Sequence, residues 1–522
     1  GRIYGRINGV NQVLAPLLAP GALQAVQCQG ITIGGLCQGT GVTTANQAFR
    51  IGTDGLVAPL PSATPTLAQP FFTGGTNTTA ADPTILSYNY RPNVTDNFTL
   101  SVQRQLSNKM TIEAGYLGRI SNHETSELNI DAVPYMLTLN GQQFSQAFAN
   151  VYQSLCGGIA YPCPGGVAPA NVPVQPWFES ALGGAGSAYC KAFSSCTAAV
   201  ASNQTSNIKN LLVTNLWVQM NNASSWTLGR SLISQPLNGG AVQATSLMVA
   251  GSQGYSNYNG LYVTFRASDW HGLTATSNFT WSRALGTGQI AQYNSSYTLV
   301  TPYDLGASYG TNAYDYKFVY NLAMFYQPPY YKSMSGLKGR ILGGWTIAPL
   351  FTAQSGAGIS VGYSPSSILQ AFGESNSSGS GALTENAVGA APYTGGTHAN
   401  YNIPGSGGIG TNNPFGVNMF SDPASIYKQF RPCVLGLDAS CGGYVNLRGL
   451  PRWNLDATVS KDIRIVTERI GATLIFQITN VMNHTVFSSP SSLSLTSPTT
   501  FGRITGIANT PRQMEFGLRI HF

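Results

Sequence analysis

Eight cysteines are the most reactive side chains in this 522-residue sequence, and they fall into four close pairs: Cys28 with Cys37, Cys156 with Cys163, Cys190 with Cys196, and Cys433 with Cys441. Each pair lies in a stretch rich in Gly, Pro, Ser or Ala. A zinc site needs tighter Cys spacing or nearby His ligands, and neither accompanies these pairs. The pattern predicts local disulfides that pin loop tips, and hence an oxidising compartment. Spacing alone does not dictate their connectivity.

The other chemistry-bearing residues point away from catalysis. Glu113, Asp456, Asp462 and Glu515 accompany Arg266, Arg464 and Arg519, and paired carboxylates can perform acid–base work. Here, however, these charges and Gln477 recur at alternate positions of apolar segments, so the expectation is charges that line a hydrated lumen and pair across strands. Gly306-Ala307-Ser308-Tyr309-Gly310 has the spacing of a nucleophile elbow but lacks the strand-to-helix setting that an elbow requires. Gly405-Ser406-Gly407-Gly408-Ile409-Gly410 has dinucleotide-loop spacing without a βαβ unit, and is read as a flexible loop. His123, His271, His398, His484 and His521 are scattered, and turn or lumen roles are expected of them. Asn77-Thr78-Thr79 fits a glycosylation sequon. The reading is therefore not an enzyme, with no metal and no cofactor.

The elements that carry these residues are two-faced. Met514, Phe516, Leu518, Ile520 and Phe522 alternate with Gln513, Glu515, Gly517, Arg519 and His521. Successive strand side chains point to opposite faces, so this segment has one apolar and one polar face. The pattern repeats in Trp453, Leu455, Ala457 and Val459; in Ala472, Leu474, Phe476 and Ile478; and in Leu261, Val263, Phe265 and Ala267. Leu273, Ala275, Phe279 and Trp281 follow it, as do Phe98, Leu100 and Val102 with Met110, Ile112, Ala114 and Tyr116. A membrane-crossing strand needs about 9–11 such residues, apolar toward lipid and polar toward a lumen. Phe265, Trp281, Leu455, Phe476, Phe516, Leu518 and Phe522 are accordingly expected to face lipid. Arg266, Asp456, Arg464, Gln477, Glu515 and Arg519 are expected to face the lumen.

Composition agrees. Only 9% of residues are charged, 60 are Gly and 11% are aromatic, and mean hydropathy is close to zero. The net charge of +7 is not gathered into basic runs, so nothing marks a nucleic-acid partner. No apolar run reaches the length of a transmembrane helix. Arg2 and Arg6 ahead of Val13–Ala19 imitate a signal peptide, but prolines and amides interrupt the run, and the chain reads as entered partway through a strand.

Ten strands are expected: a stub at 1–6, hairpins at 94–106/109–120 and 255–268/272–284, strands at 313–327 and 341–355, a pair at 450–465/470–483 turning near Thr467-Glu468, and the last at 512–522. Residues 7–92, 121–253 and 356–449 are expected to be long extracellular loops, with Asn210–Met220 a short strand or helix inside the second. Short and long connections alternate, as they do in a membrane barrel with short periplasmic turns and long outer loops. Tyr255, Tyr258, Trp270, Trp281, Tyr326, Trp345 and Trp453 crowd the strand ends as an interfacial girdle would.

The stretches Tyr258–Arg266, Gly272–Ser282, Leu342–Ile347 with Gln354–Gly356, Asn480–His484, Phe501–Thr505 and Gln513–Phe522 resemble those of TonB-dependent outer-membrane receptors, specifically the Oar-like kind. The resemblance covers roughly residues 90–522. It implies an all-β, antiparallel transmembrane barrel, of which residues 1–522 would be the C-terminal ten or so of about 22 strands. It further implies an N-terminal plug that couples to the TonB system, neither part being recognisable in this chain, and a terminal Phe522 read by the barrel assembly machinery. Its partners would be outer-membrane lipid, that machinery, the TonB system and an unidentified solute. The expected function is active uptake of a bulky solute (glycan, peptide or chelate); the alternative is a surface-binding or adhesive protein anchored by its barrel.

Overall fold

The computed structural model describes residues 2–4, 84–160, 162–229, 248–288, 297–312, 314–332, 334, 336–359, 361–362, 388–389, 397–407, 414–438, 447–466, 470–490 and 493–522. Among them, a 13-stranded sheet dominates. Its main path is β1 (Arg2–Tyr4), β2 (Val94–Ser107), β3 (Met110–Asn129), β4 (Met248–Trp270), β5 (Leu273–Gly286), β6 (Phe318–Tyr326), β7 (Trp345–Gln354), β8 (Arg452–Val466), β9 (Ile470–Thr479) and β10 (Gln513–His521). Every strand pairs antiparallel with its neighbour in sequence order. No helix among the described residues is long and apolar enough to cross a membrane, which says nothing about strands.

The register turns local alternation into two continuous faces, because residues directly opposite each other share a face. Val102 stands opposite Ala114, Ala114 opposite Val263, and Val263 opposite Phe279. Phe279 meets Tyr320, Leu322 meets Phe351, and Phe351 meets Leu455. Val459 then faces Phe476, and Phe476 faces Phe516. The opposite face carries Gln103, Glu113, Thr264, Asn278, Asn321, Thr352, Asn454, Gln477 and Glu515 along the same ladder.

Turn chemistry closes the short connections. The β4–β5 hairpin turns at His271 (φ 53°) and Gly272 (φ 83°), the two left-handed residues that a type I′ turn requires. The turn expected near Thr467-Glu468 lies outside the described residues. The expected strand at 313–327 begins only at Phe318, and the one at 341–355 begins at Trp345. A helix, α6 (Gly336–Leu342), occupies the connection before it.

The second long excursion is not a loop. β3 runs on to Asn129 and β4 starts at Met248, so the excursion is 130–247 rather than 121–253. Alternation stops near Ile120 because the strand continues there as a mostly polar segment, 121–129, in which Ser121, Glu124, Ser126 and Asn129 are buried. The described part of the excursion folds into five helices: α1 (Phe144–Cys156), α2 (Pro176–Ala181), α3 (Cys196–Asn203), α4 (Thr205–Lys209) and α5 (Val213–Asn221). Phe144, Phe148, Val151, Tyr152 and Leu155 recur at helical spacing and are wholly buried on one side of α1. Gly157, left-handed at φ 69°, ends that helix. The stretch 210–220, open between strand and helix, is mostly helix, with Val213, Leu216, Trp217 and Met220 buried.

The third excursion also packs, together with the connection between β9 and β10. Asn400–Pro404, Phe415–Asn418 and Arg503–Ile504 form a three-stranded sheet, beside a short helix, α7 (Pro423–Tyr427). Around them Phe420, Tyr427, Phe430 and Phe501 make a second core. Both hydrophobic cores therefore belong to the excursions, while the sheet's apolar face stays open.

Candidate functional site: the two-faced wall and its folded outer rim

The wall places the expected residues on separate faces. Phe265, Trp281, Leu455, Phe476, Phe516 and Leu518 fall on the apolar ladder, and Phe522 follows directly after β10, fully exposed. Arg266, Asp456, Arg464, Gln477, Glu515 and Arg519 fall on the polar one. Leu117, Phe325, Leu350 and Ile475 interrupt the polar face.

Three carboxylates on the polar face, Glu113, Asp462 and Asp456, accept from neutral donors. The Tyr262 hydroxyl donates to Glu113 at 2.9 Å, and the Thr473 hydroxyl donates to Asp462 at 2.7 Å. Asp456 accepts from the Asn454 amide at 2.8 Å and from the Asn480 backbone N–H at 2.8 Å. Hydroxyls and amides suit a wetted wall, since they satisfy carboxylates without fixing a second charge.

The rim where the long connections lie is built from locked elements. Cys156–Cys163 and Cys190–Cys196 are disulfides, the neighbours paired as their spacing predicted. Cys433 is also disulfide-bonded; Cys28, Cys37 and Cys441 lie outside the described residues. Glu179 of α2 accepts from the N–H groups of Cys196 (3.0 Å) and Thr197 (2.8 Å) and from the Thr197 hydroxyl (2.9 Å), which places a carboxylate at the start of α3. Trp177 lies 6.0 Å from Trp217, which lies 5.3 Å from Trp226, at the centre of the helical body.

Other excursions dock on that body: Val300, Cys433, Val434 and Leu435 are buried in the same core. Arg431 holds Asp438 through two bonds of 2.6 and 2.7 Å. The hydrogen bonds that the guanidinium donates to Asp438 raise its pKa above the usual value. Arg448 pairs with the fully buried Asp315, which also accepts from the Ala284 N–H at 2.5 Å. At the last long connection, Asn480 and His484 exchange hydrogen bonds of 2.9 and 2.8 Å, and the His484 ring stacks on Trp453 at 3.9 Å. A cleft of about 650 Å³ is lined by Tyr116, Leu261 and Trp281 together with Arg283, Lys317 and Arg448.

Ser308 is buried at the end of a 3-10 turn and accepts from the Val300 N–H at 2.8 Å. His123 and His271 sit at left-handed backbone positions, and His521 lies on the polar face of β10. Among the described residues no three His, Cys, Asp or Glu side chains group as metal ligands. Gly408 to Gly410 of the glycine-rich loop, and Asn77, lie outside the described residues.

Residues 30–515 match the family model described as an outer membrane beta barrel domain. The chain belongs to that family. It is an outer-membrane β-barrel protein, and the sheet described above is barrel wall. No curated protein matches the chain. Among solved structures it is similar to the outer membrane transporter YddB from Escherichia coli, at 8% identity and a TM-score of 0.34, covering 84% of this chain and 34% of that one. It is also similar to BauA, the ferric preacinetobactin receptor from Acinetobacter baumannii, at 8% identity and a TM-score of 0.31, covering 85% and 32%. A third is the ferric citrate transporter FecA, at 9% identity and a TM-score of 0.28, covering 82% and 31%. The chain thus spans about a third of the length of each of these proteins.

Sequence reasoning missed the helical body and α6. Helical spacing in Phe144, Phe148, Val151 and Leu155 was the available signal for the first.

Proposed function

We propose that this chain is barrel wall and capture surface of an energy-coupled outer-membrane importer of the TonB-dependent, Oar-like kind. The apolar ladder from Val102 to Phe516 is the lipid face, and the polar ladder from Glu113 to Arg519 lines the lumen. One observation carries the reading: the long excursions on one side of a two-faced sheet fold into packed bodies instead of plain loops, the helical one locked by two disulfides. A rigid outer surface is what solute capture needs, because ordering flexible loops would cost binding energy.

The solute is bulky: a glycan, a peptide or a large chelate, gripped by amides, hydroxyls and aromatics. Energy coupling comes through a plug and the TonB system, and Phe522 is the residue that the assembly machinery reads. The wall does no chemistry. Uptake of labelled solutes by cells carrying the full-length receptor tests this, with and without the proton gradient. Gradient-dependent entry of a bulky solute is expected; preference for a compact anion, or entry indifferent to the gradient, contradicts it.

A second reading has an observation of its own. The five-helix body has its own core and its own disulfides, as a surface-binding or adhesive module anchored by the barrel would. Surface attachment that survives loss of all uptake would favour it.

A further inference from the structure

Among the described residues, the longest connection at the short-turn rim joins β6 to β7, and it is oddly uncovered. It runs from Pro328-Pro329 through Tyr330, Tyr331 and Lys332 into α6. Leu337 is 77% exposed, Tyr330 68%, Ile341 55% and Leu342 50%. Leu337 and Ile341 are four residues apart on one helix face. The Trp345 indole N–H donates to the Ile341 carbonyl at 2.9 Å, so α6 is tied to the first residue of β7. Trp345 stands on the apolar ladder, two residues before Ile347, which faces Val459. The exposed patch therefore continues the wall's apolar face past its end.

Charge accompanies it. Lys332, Lys338 and Arg340 are exposed, and Lys461 lies 4.6 Å over the Trp345 ring while donating to the carbonyls of Ile341 and Gly343 at 3.0 and 2.7 Å. From Gln327 to Gln354 the sequence contains no Asp or Glu. The nearby Asp462 carboxylate accepts from Thr473 on the polar face. Apolar side chains flanked by Lys and Arg, with aromatic residues at the boundary, fit a headgroup layer and not bulk water.

We propose that this segment is an interfacial anchor for anionic phospholipid in the leaflet at the short-turn side. Leu337 and Ile341 enter the upper acyl region, and Lys332, Lys338 and Arg340 hold lipid phosphates. The proposal rests on the apolar ladder being the lipid face, and the test separates the two. The full chain is reconstituted in vesicles of phosphatidylglycerol and phosphatidylcholine, with an environment-sensitive fluorophore on Leu337→Cys or, separately, on Phe516→Cys. The expected result is quenching of the first label by lipids brominated high on the acyl chain and of the second by lipids brominated deep. A cation near a membrane surface is worth about 1 kcal/mol, or about fivefold. The K332Q/K338Q/R340Q variant should therefore lose at least about fivefold in preference for phosphatidylglycerol. A solvent-like Leu337 label beside a quenched Phe516 label overturns the anchor and leaves the wall standing. Two unquenched labels overturn both, and an unchanged lipid preference overturns the phosphate contacts.

Discussion

Phe476 and Phe516 stand directly opposite each other on β9 and β10, their rings stacked at 4.5 Å with 19° between planes. Phe516 is nevertheless 78% exposed. A stacked aromatic pair left open on the face of a sheet calls for an apolar medium over it, and the proposed lipid face supplies one.

Replacing Phe476 or Leu455 with Arg should cost about 2–4 kcal/mol near the bilayer midplane, and Arg at Thr458 or Gln477 should cost far less. Unfolding titrations in bilayers would read the difference. Equal penalties on both faces would contradict the assignment.

How much of this was legible in the sequence depends on what each residue faces. Leu455, Phe476 and Phe516 alternate with polar residues and share one face of the sheet, so strands, hairpins and the two faces could be read directly. Residues 121–129 extend β3 with mostly polar side chains, so the alternation signal vanished there. The helical body was hidden for another reason: its apolar residues follow a 3.6-residue period inside a stretch whose Gly, Pro and Ser content reads as loop. Trp217 and Val218 suit a strand as well as a helix, and only burial against Trp177 and Phe144 decides the matter. The carboxylates share the polar face, but the neutral partners of Glu113, Asp462 and Asp456 (Tyr262, Thr473, Asn454) are spread over other strands or lie two positions away, where charge patterning gives no hint.

Opening Cys156–Cys163 or Cys190–Cys196 releases a short loop, worth about 2 kcal/mol for each bridge by loop entropy. Mild reductant should speed proteolysis within 144–221 and leave β8–β10 protected. Limited proteolysis read by mass spectrometry checks both halves of that statement.

Glu179 accepts three hydrogen bonds at the start of α3. Glu179→Ala should destabilise the helical body by about 1–2 kcal/mol, as loss of a helix cap does. Hydrogen exchange should rise first at 196–203.

Arg448→Met strands the buried Asp315 without its partner and should cost about 3–5 kcal/mol, whereas the double change Asp315→Asn/Arg448→Met should recover part of it. A double-mutant cycle on thermal unfolding measures the coupling. Additive losses would show that the pair does not act as a unit.

The most direct test of the two-faced wall is a nitroxide scan of β10 from Gln513 to His521 in the reconstituted full-length protein, reading collisions with oxygen and with a water-soluble nickel chelate. Oxygen access should peak at 514, 516, 518 and 520 and nickel access at 513, 515, 517, 519 and 521, out of phase with a period of two. Accessibility with no alternation, or oxygen peaks on the odd positions, would contradict the account.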